Sequence, residues 1–202
     1  MIFPRSLQNA LSEYEIMPIT ESNYETVFDV YDTNQSYFLL TEGKPITLSG
    51  VLQSILSVPK GVSPNNKYCL GLQKKQSATA DVIKSTTADA NTITHETANS
   101  EPKMIAYLEF YTSLPSPECI WLSLLLVHVK HQGKSIGGEI VKALIKAARA
   151  TRHKEIRLGI VANHLKGVSF WKKMGFVEID RATTTQRDVT LEIIIFKLNL
   201  DF

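Results

Sequence analysis

Ile120 to Val129, IWLSLLLVHV, followed almost at once by Gln132-Gly133-Lys134-Ser135-Ile136-Gly137-Gly138, decides the fold of this chain. A near-continuous apolar run of strand length is what a central strand covered on both faces shows. Beyond it, Ile136, Ile140, Leu144 and Ala147 make an apolar stripe at helical spacing. Glu139, Lys142, Lys146 and Arg149 make the polar face opposite, which predicts a helix running to about Thr151. The glycine-bearing segment is therefore a strand-to-helix turn. Glycines let successive backbone N–H groups face one concave space, and a helix start adds partial positive charge, so such a turn suits a phosphate or pyrophosphate. Ser135 is a candidate cap for the helix. Gly133-Lys134-Ser135 does not end a triphosphate P-loop, because the glycine required five residues earlier is His128 here. Nor does the spacing fit the dinucleotide fingerprint G-x-G-x-x-G.

Working outward, Ile156–Val161 reads as a strand, Leu165–Met174 as a helix, and Phe176–Ile179 and Leu191–Leu198 as a closing pair of strands. Upstream, Tyr68–Leu72 and Met104–Phe110 read as an antiparallel pair. The polar segment between them, rich in Ser, Thr, Ala and Asn, predicts a solvated insertion over about 76–100. Tyr14–Ile19 predicts a first strand, and Thr20 the cap of an amphipathic helix carrying Val27, Phe28 and Tyr31. Two more helical pieces are predicted from Ser36 to Ser57, broken at Gly43-Lys44-Pro45. The expected organisation is one domain over 1–202, with an N-terminal extension of about 1–13.

Composition narrows the function. Hydrophobic residues at 44% and charged residues at 21% are ordinary for a globular protein. A net charge of +2 over 202 residues argues against general binding to nucleic acid or an anionic membrane, and favours a small polyphosphate-bearing ligand. No apolar run reaches bilayer-spanning length, and the first residues do not have the pattern of a secretory signal, so a cytoplasmic location is expected. Cys69 and Cys119 are then expected to be reduced core residues.

About thirty residues after the turn comes Asn163-His164-Leu165-Lys166-Gly167-Val168-Ser169-Phe170-Trp171-Lys172-Lys173-Met174-Gly175-Phe176. Together the two segments resemble the GNAT N-acetyltransferase superfamily. Gln132-x-x-Ser135-x-Gly137 is similar to its acyl-CoA signature, Gln/Arg-x-x-Gly-x-Gly/Ala, with Ser135 standing where the first signature glycine would be. Leu125-Leu126-Val127 resembles the stretch whose backbone pairs with the pantetheine arm, and the second segment resembles the Asn, aromatic pair and Gly-Phe that close the superfamily's next helix.

The resemblance implies an α/β (α+β) fold: a mixed, mostly antiparallel central sheet of about six or seven strands flanked by about four helices, with two central strands splayed apart. It implies direct transfer of acetyl from acetyl-CoA to an amino group of a small molecule, peptide or protein. The cofactor-binding residues it implies are Leu125, Val127, Gln132, Gly133, Lys134, Ser135, Ile136, Gly137, Gly138, Asn163 and Trp171, with His164 the alternative to Asn163. In many members a Tyr at the position of Trp171 protonates the departing thiolate. An indole N–H cannot act as that acid, so Trp171 is left to pack or orient. Phe170 is expected in the core. Glu109, on the strand beside the central one, and Glu118, just before the central strand, are the candidate bases for the acceptor ammonium, Glu109 being the one chosen, each with an exposed strand-end charge as its alternative reading. Cys119, His128 and His131 do not form a recognised zinc spacing. Ser135 and Trp171 keep a second reading open, a module that binds acyl-CoA without turning it over, and a homodimer is compatible with either.

Overall fold

The computed structural model describes residues 2–75, 103–186 and 189–200, so the expected insertion at 76–100 lies outside the described residues. Helix α1 (Ile2–Ala10) leads into β1 (Tyr14–Pro18) and then α2 (Phe28–Asp32), α3 (Gln35–Glu42) and α4 (Leu48–Leu56). There follow β2 (Lys67–Lys74), β3 (Ala106–Thr112), β4 (Cys119–Val127), α5 (Ile136–Ala150), β5 (Glu155–Val161), α6 (Leu165–Lys173), β6 (Val177–Gln186) and β7 (Val189–Asn199). The strands form one sheet in the order β1-β2-β3-β4-β5-β7-β6. Among the described residues only β4 and β5 run parallel; the other neighbours are antiparallel. The mixed, mostly antiparallel α/β fold implied by the resemblance is the one observed, with seven strands and six α-helices among the described residues.

Alternation along β3 sorts the core into two layers. Ala106, Leu108 and Phe110 face a cluster that includes Leu7, Leu11, Ile140, Leu144 and Trp171, so this layer lies under α1, α5 and α6. Tyr107 faces the other cluster, with Val27, Val30, Phe38, Val51 and Ile55 under α2, α3 and α4. Cys69 and Cys119 are free and buried.

One local expectation is corrected and one is given a form. The N-terminal extension is a helix: α1 packs along α5, and Leu7 and Leu11 are buried. Gln8 then bonds both the carbonyl of Tyr14 (2.7 Å) and the N–H of Ile16 (3.0 Å), covering part of the edge strand. Thr20 does not cap a helix. Its N–H donates to Oδ1 of Asn23 (2.7 Å), and Asn23 donates back to the carbonyl of Pro18 (3.0 Å), so side chains close a turn and helical structure begins only at Tyr24.

One polar group is buried deep in the second layer. Glu109 sits on β3 with its carboxylate 3.4 Å from Nζ of Lys67, both side chains 5% exposed. The Tyr107 hydroxyl donates to the same carboxylate (2.9 Å), while Lys67 also donates to the carbonyls of Ser54 (2.5 Å) and Ser57 (2.8 Å) at the end of α4. The pair thus ties β2 and β3 to that helix. Removing one partner of such a pair leaves an uncompensated buried charge. Glu109→Gln is therefore expected to cost about 3–5 kcal/mol in urea unfolding, and adding Lys67→Met to recover much of it. A loss below about 1 kcal/mol for the single variant, the scale of an exposed pair, would refute this role.

Candidate active site

β4 and β5 pair from Cys119 opposite Glu155 to Leu122 opposite Leu158, and there they part. On its other edge β4 slips register at the same point: Phe110 faces Leu122 and Glu109 faces Leu124, leaving Ser123 as an extra residue. A bulge bends its strand and increases its twist, which turns the end of β4 away from β5. β5 meanwhile stays paired with β7 as far as Val161. The result is a splay between two central strands, as the resemblance implied.

The ladder shows which groups line it. His128 N–H donates to the carbonyl of Ile105 (2.9 Å), which makes Ala106 and Val127 a pair that exchanges no hydrogen bonds of its own. The N–H and C=O of Val127 consequently point to the opposite edge, into the splay. Leu125, two residues back, does the same. These are the two strand residues the sequence singled out.

The turn continues directly from this edge. A 3-10 segment, Val129–His131, is capped by Nδ1 of His128, which accepts from Lys130 N–H (3.2 Å). Gln132, Gly133, Lys134 and Ser135 are exposed, with Gly133 at φ 74° and Ser135 at φ 65°. Ser135 stands just before α5, but its hydroxyl makes no capping bond, contrary to the expected cap; its carbonyl accepts the first helical bond, from Glu139 N–H (3.0 Å). The N–H groups of Ile136, Gly137 and Gly138 therefore have no acceptor within the helix. Ile136 is 5% exposed and anchors the helix start in the core. A Cβ on Gly137 would lie 3.5 Å from Phe170 and 3.8 Å from Val127, so α6 and the end of β4 converge on this first turn. The Gln132 side chain turns inward, donating to the Val127 carbonyl (2.9 Å) and to Oδ1 of Asn34 (3.1 Å).

The second segment flanks the splay on the β5 side. Asn163 is exposed, while His164 immediately precedes α6, half-buried, its ring 5.6 Å from that of Tyr37 on α3. Gly167 makes room for it, since a Cβ there would come 2.6 Å from Nδ1 of His164. The aromatic pair divides its work differently from the expectation. Trp171 is the core residue, 8% exposed and edge-on to Phe176 (5.2 Å), whereas Phe170 is half-buried beside Gly137. Glu109 belongs to the layer under α2–α4, and its carboxylate makes its bonds there with Lys67 and Tyr107. On the outer side of α5, Lys142, Ile145, Lys146, Arg149, Met174 and Leu198 line a cavity of about 450 Å³.

The structure thus brings Leu125, Val127 and the residues 132–138 into one continuous strip and sets α6 against it. Asn34 also reaches this strip, and the sequence reading did not include it; no local pattern links it to Val127, 93 residues away.

The acetyltransferase (GNAT) family profile matches residues 69–176, which contain the whole strip, and the chain belongs to that family. Family membership makes it an acetyl-CoA-dependent N-acetyltransferase. No curated protein matches it. Among solved structures, an acetyltransferase from Thermus thermophilus is similar in fold, with a TM-score of 0.61 at 19% identity over 93% of this chain and 97% of that one. The ribosomal-protein-S18-alanine N-acetyltransferase of Escherichia coli gives 0.59 at 12% identity over 94% and 95%. The protein yncA of Salmonella typhimurium, solved with its cofactor acetyl-CoA, gives 0.55 at 13% identity over 94% and 95%.

The conformation of Ser135 has a measurable consequence. A left-handed backbone costs a non-glycine residue about 1–2 kcal/mol, partly offset by the extra freedom glycine gives the unfolded chain. Ser135→Gly is therefore expected to raise stability by about 0.5–1 kcal/mol in urea unfolding, and a loss would contradict the conformation at this position. Two half-buried histidines have another, in the pH dependence of stability. Burial, aided by the Lys166 charge, holds His164 below its ordinary 6.5, and burial does the same to His153. Both are neutral in the fold and take up protons more readily when unfolded, so their stabilisation is full above pH about 6.5 and is lost as pH falls through the depressed folded values. Replacing both by Gln should flatten the fall in melting temperature on acidification from pH 7.5 to about 5.5, and an unchanged slope would count against it.

Proposed function

We propose that the open edge of β4 and the turn after it form the acetyl-CoA site, and that the acceptor amine meets the acyl group from the side of α2–α4. The observation that carries this is the continuity of the strip: the N–H and C=O of Leu125 and the N–H of Val127 face the splay, and they lead straight to the exposed turn and the uncapped start of α5.

The residues fit such a ligand. An amide-bearing arm finds unpaired backbone groups along the edge, and a pyrophosphate finds the N–H groups from Gly133 to Gly138 with the helix dipole behind them. A side chain at Gly137 would project against Phe170 and Val127, at the meeting of the turn with α6 and the end of β4. Lys142, Lys146 and Arg149 give the outer flank of α5 the charge to meet further phosphate. When bound, acetyl-CoA supplies the activated acyl group, a thioester. The chain's task is then to orient that thioester, exclude competing water and receive a deprotonated amine.

Trp171 packs in the core and cannot protonate the leaving sulfur. A thiol of pKa about 8.5 leaves adequately as thiolate near neutral pH, and solvent completes its protonation. Glu109 can act as base only by exchanging its bonds to Lys67 and Tyr107 for the acceptor, which makes a water-borne proton path the simpler route. The acceptor is an amino group of a small molecule, peptide or protein, and the single domain works in the cytoplasm.

Acetyl-CoA at about a hundred times its dissociation constant is expected to add about 2.7 kcal/mol of stability, read as a rise in melting temperature. Gly137→Glu, which puts bulk and negative charge into the first turn of α5 beside Phe170 and Val127, should abolish the rise. A panel of amines assayed for release of free thiol then identifies the acceptor class. Stabilisation that survives Gly137→Glu would put the cofactor elsewhere and sink the assignment of this turn.

A further inference from the structure

The corner joining α2 to α3 carries Asp29, Thr33 and Asn34, and all three side chains reach the segment that follows β4. Oδ2 of Asp29 lies 3.2 Å from Nε2 of His128. Thr33 Oγ1 accepts from Val129 N–H (3.4 Å). Asn34 spans the widest gap: Nδ2 donates to the carbonyls of Val30 (2.7 Å) and Val127 (3.1 Å), and Oδ1 accepts from Nε2 of Gln132 (3.1 Å). Gln132 donates to the same Val127 carbonyl.

Two side-chain amides therefore bond one another and share one acceptor, the last carbonyl on the open edge of β4. That carbonyl would otherwise face the splay with its strand partner missing. Asn34 is also at the cap position of α3, where an Asn side chain ordinarily accepts from the helix's own first N–H groups, yet it makes no such bond. Its hydrogen-bonding capacity goes to the acyl-donor strip instead.

We infer that Asn34 is a positioning residue for the acyl donor, holding the end of β4 and the start of the phosphate-facing turn as one unit with the helices on the acceptor side. The inference rests on the acetyl-CoA site proposed above. With the Val127 carbonyl occupied by protein, a bound arm is confined to the groups of Leu125 and the N–H of Val127, and the turn begins at a fixed distance from them.

Asn34→Ser separates this role from a merely structural one. Serine is as favourable as asparagine at a helix cap position but is too short to reach Val127 and Gln132. The melting temperature is expected to stay within a few degrees of wild type, while the KM for acetyl-CoA rises about 5- to 30-fold, the effect of losing one or two such bonds, with kcat changed less than about twofold. Gln132→Ala should raise KM similarly, and the double variant should fall well short of the product of the two effects, because both residues act on one carbonyl. Should Asn34→Ser prove unstable, Asn34→Asp keeps the acceptor for Gln132 but loses the donor to Val127, and the same rise in KM is expected.

Binding of acetyl-CoA to each variant, followed by calorimetry, keeps the two proposals apart. Wild-type binding with unaltered affinity in the Asn34 variants, or effects of Asn34 and Gln132 that simply multiply, overturns the positioning role and leaves the site standing. Failure of the wild type to bind overturns the site and this inference with it.

Discussion

The early end of the β4–β5 ladder is the constraint on which the rest of the molecule depends. Four residue pairs join these strands, from Cys119–Glu155 to Leu122–Leu158, and the extra residue Ser123 then bends β4 away from β5 while it stays paired with β3. Had the ladder continued, the N–H and C=O of Leu125 and Val127 would be spent on β5, and the turn at 132–138 would adjoin a closed sheet. The parallel pair makes the opening possible, since each strand keeps its antiparallel neighbour, β3 or β7, through and beyond the gap. The backbone polar groups left over are those a ligand with amides can satisfy.

An opening in the middle of a sheet needs support from outside the ladder, and the two helical layers supply it differently. Beneath α5 and α6 the support is apolar: Ile136 and Trp171 are buried, and Phe170 closes against Gly137. Beneath α2–α4 it is polar and directional. Lys67 and Glu109 fasten the end of α4 to β2 and β3, and the α2–α3 corner fastens to the end of β4. Directional bonds hold backbone groups at set positions, which apolar packing does less well, and they appear on the α2–α4 side, the one proposed for the acceptor.

The sequence made the core of this arrangement legible because its signals are local. The apolar run of β4, the stripe on α5 and the closing Gly175-Phe176 each follow from periodicity or turn chemistry within a few residues, and they stand in the structure where they were read, except that β4 ends at Val127, two residues short of its reading. What escaped is of two kinds. Some misreadings are competitions between local patterns: Thr20, Ser22 and Asn23 have the composition of a helix cap but close a turn on themselves, and the strand β6 runs on past Ile179 through the polar Thr183–Thr185 because its backbone pairs with β7. The rest depends on contact between distant segments. The bulge at Ser123 arises from register with β3, and nothing around Asn34 shows that its amide ends on Val127.

The departures from the family pattern make sense against the same scaffold. Ser135 adopts the left-handed conformation that the signature glycine would take without strain, so the turn keeps its shape and its exposed N–H groups at an energetic cost, not a geometric one. Trp171 removes an acid but fills the core between Phe170 and Phe176, and a thiolate needs little help to leave. Both replacements fall where the reaction's demand is smallest. The demand that cannot be relaxed is placement of the thioester relative to the incoming amine, where errors of about 1 Å are costly. In the proposed site that placement rests on the backbone of Leu125 and Val127 and on the side chains that terminate their edge, and the polar fastening from the α2–α4 side meets β4 at its last carbonyl.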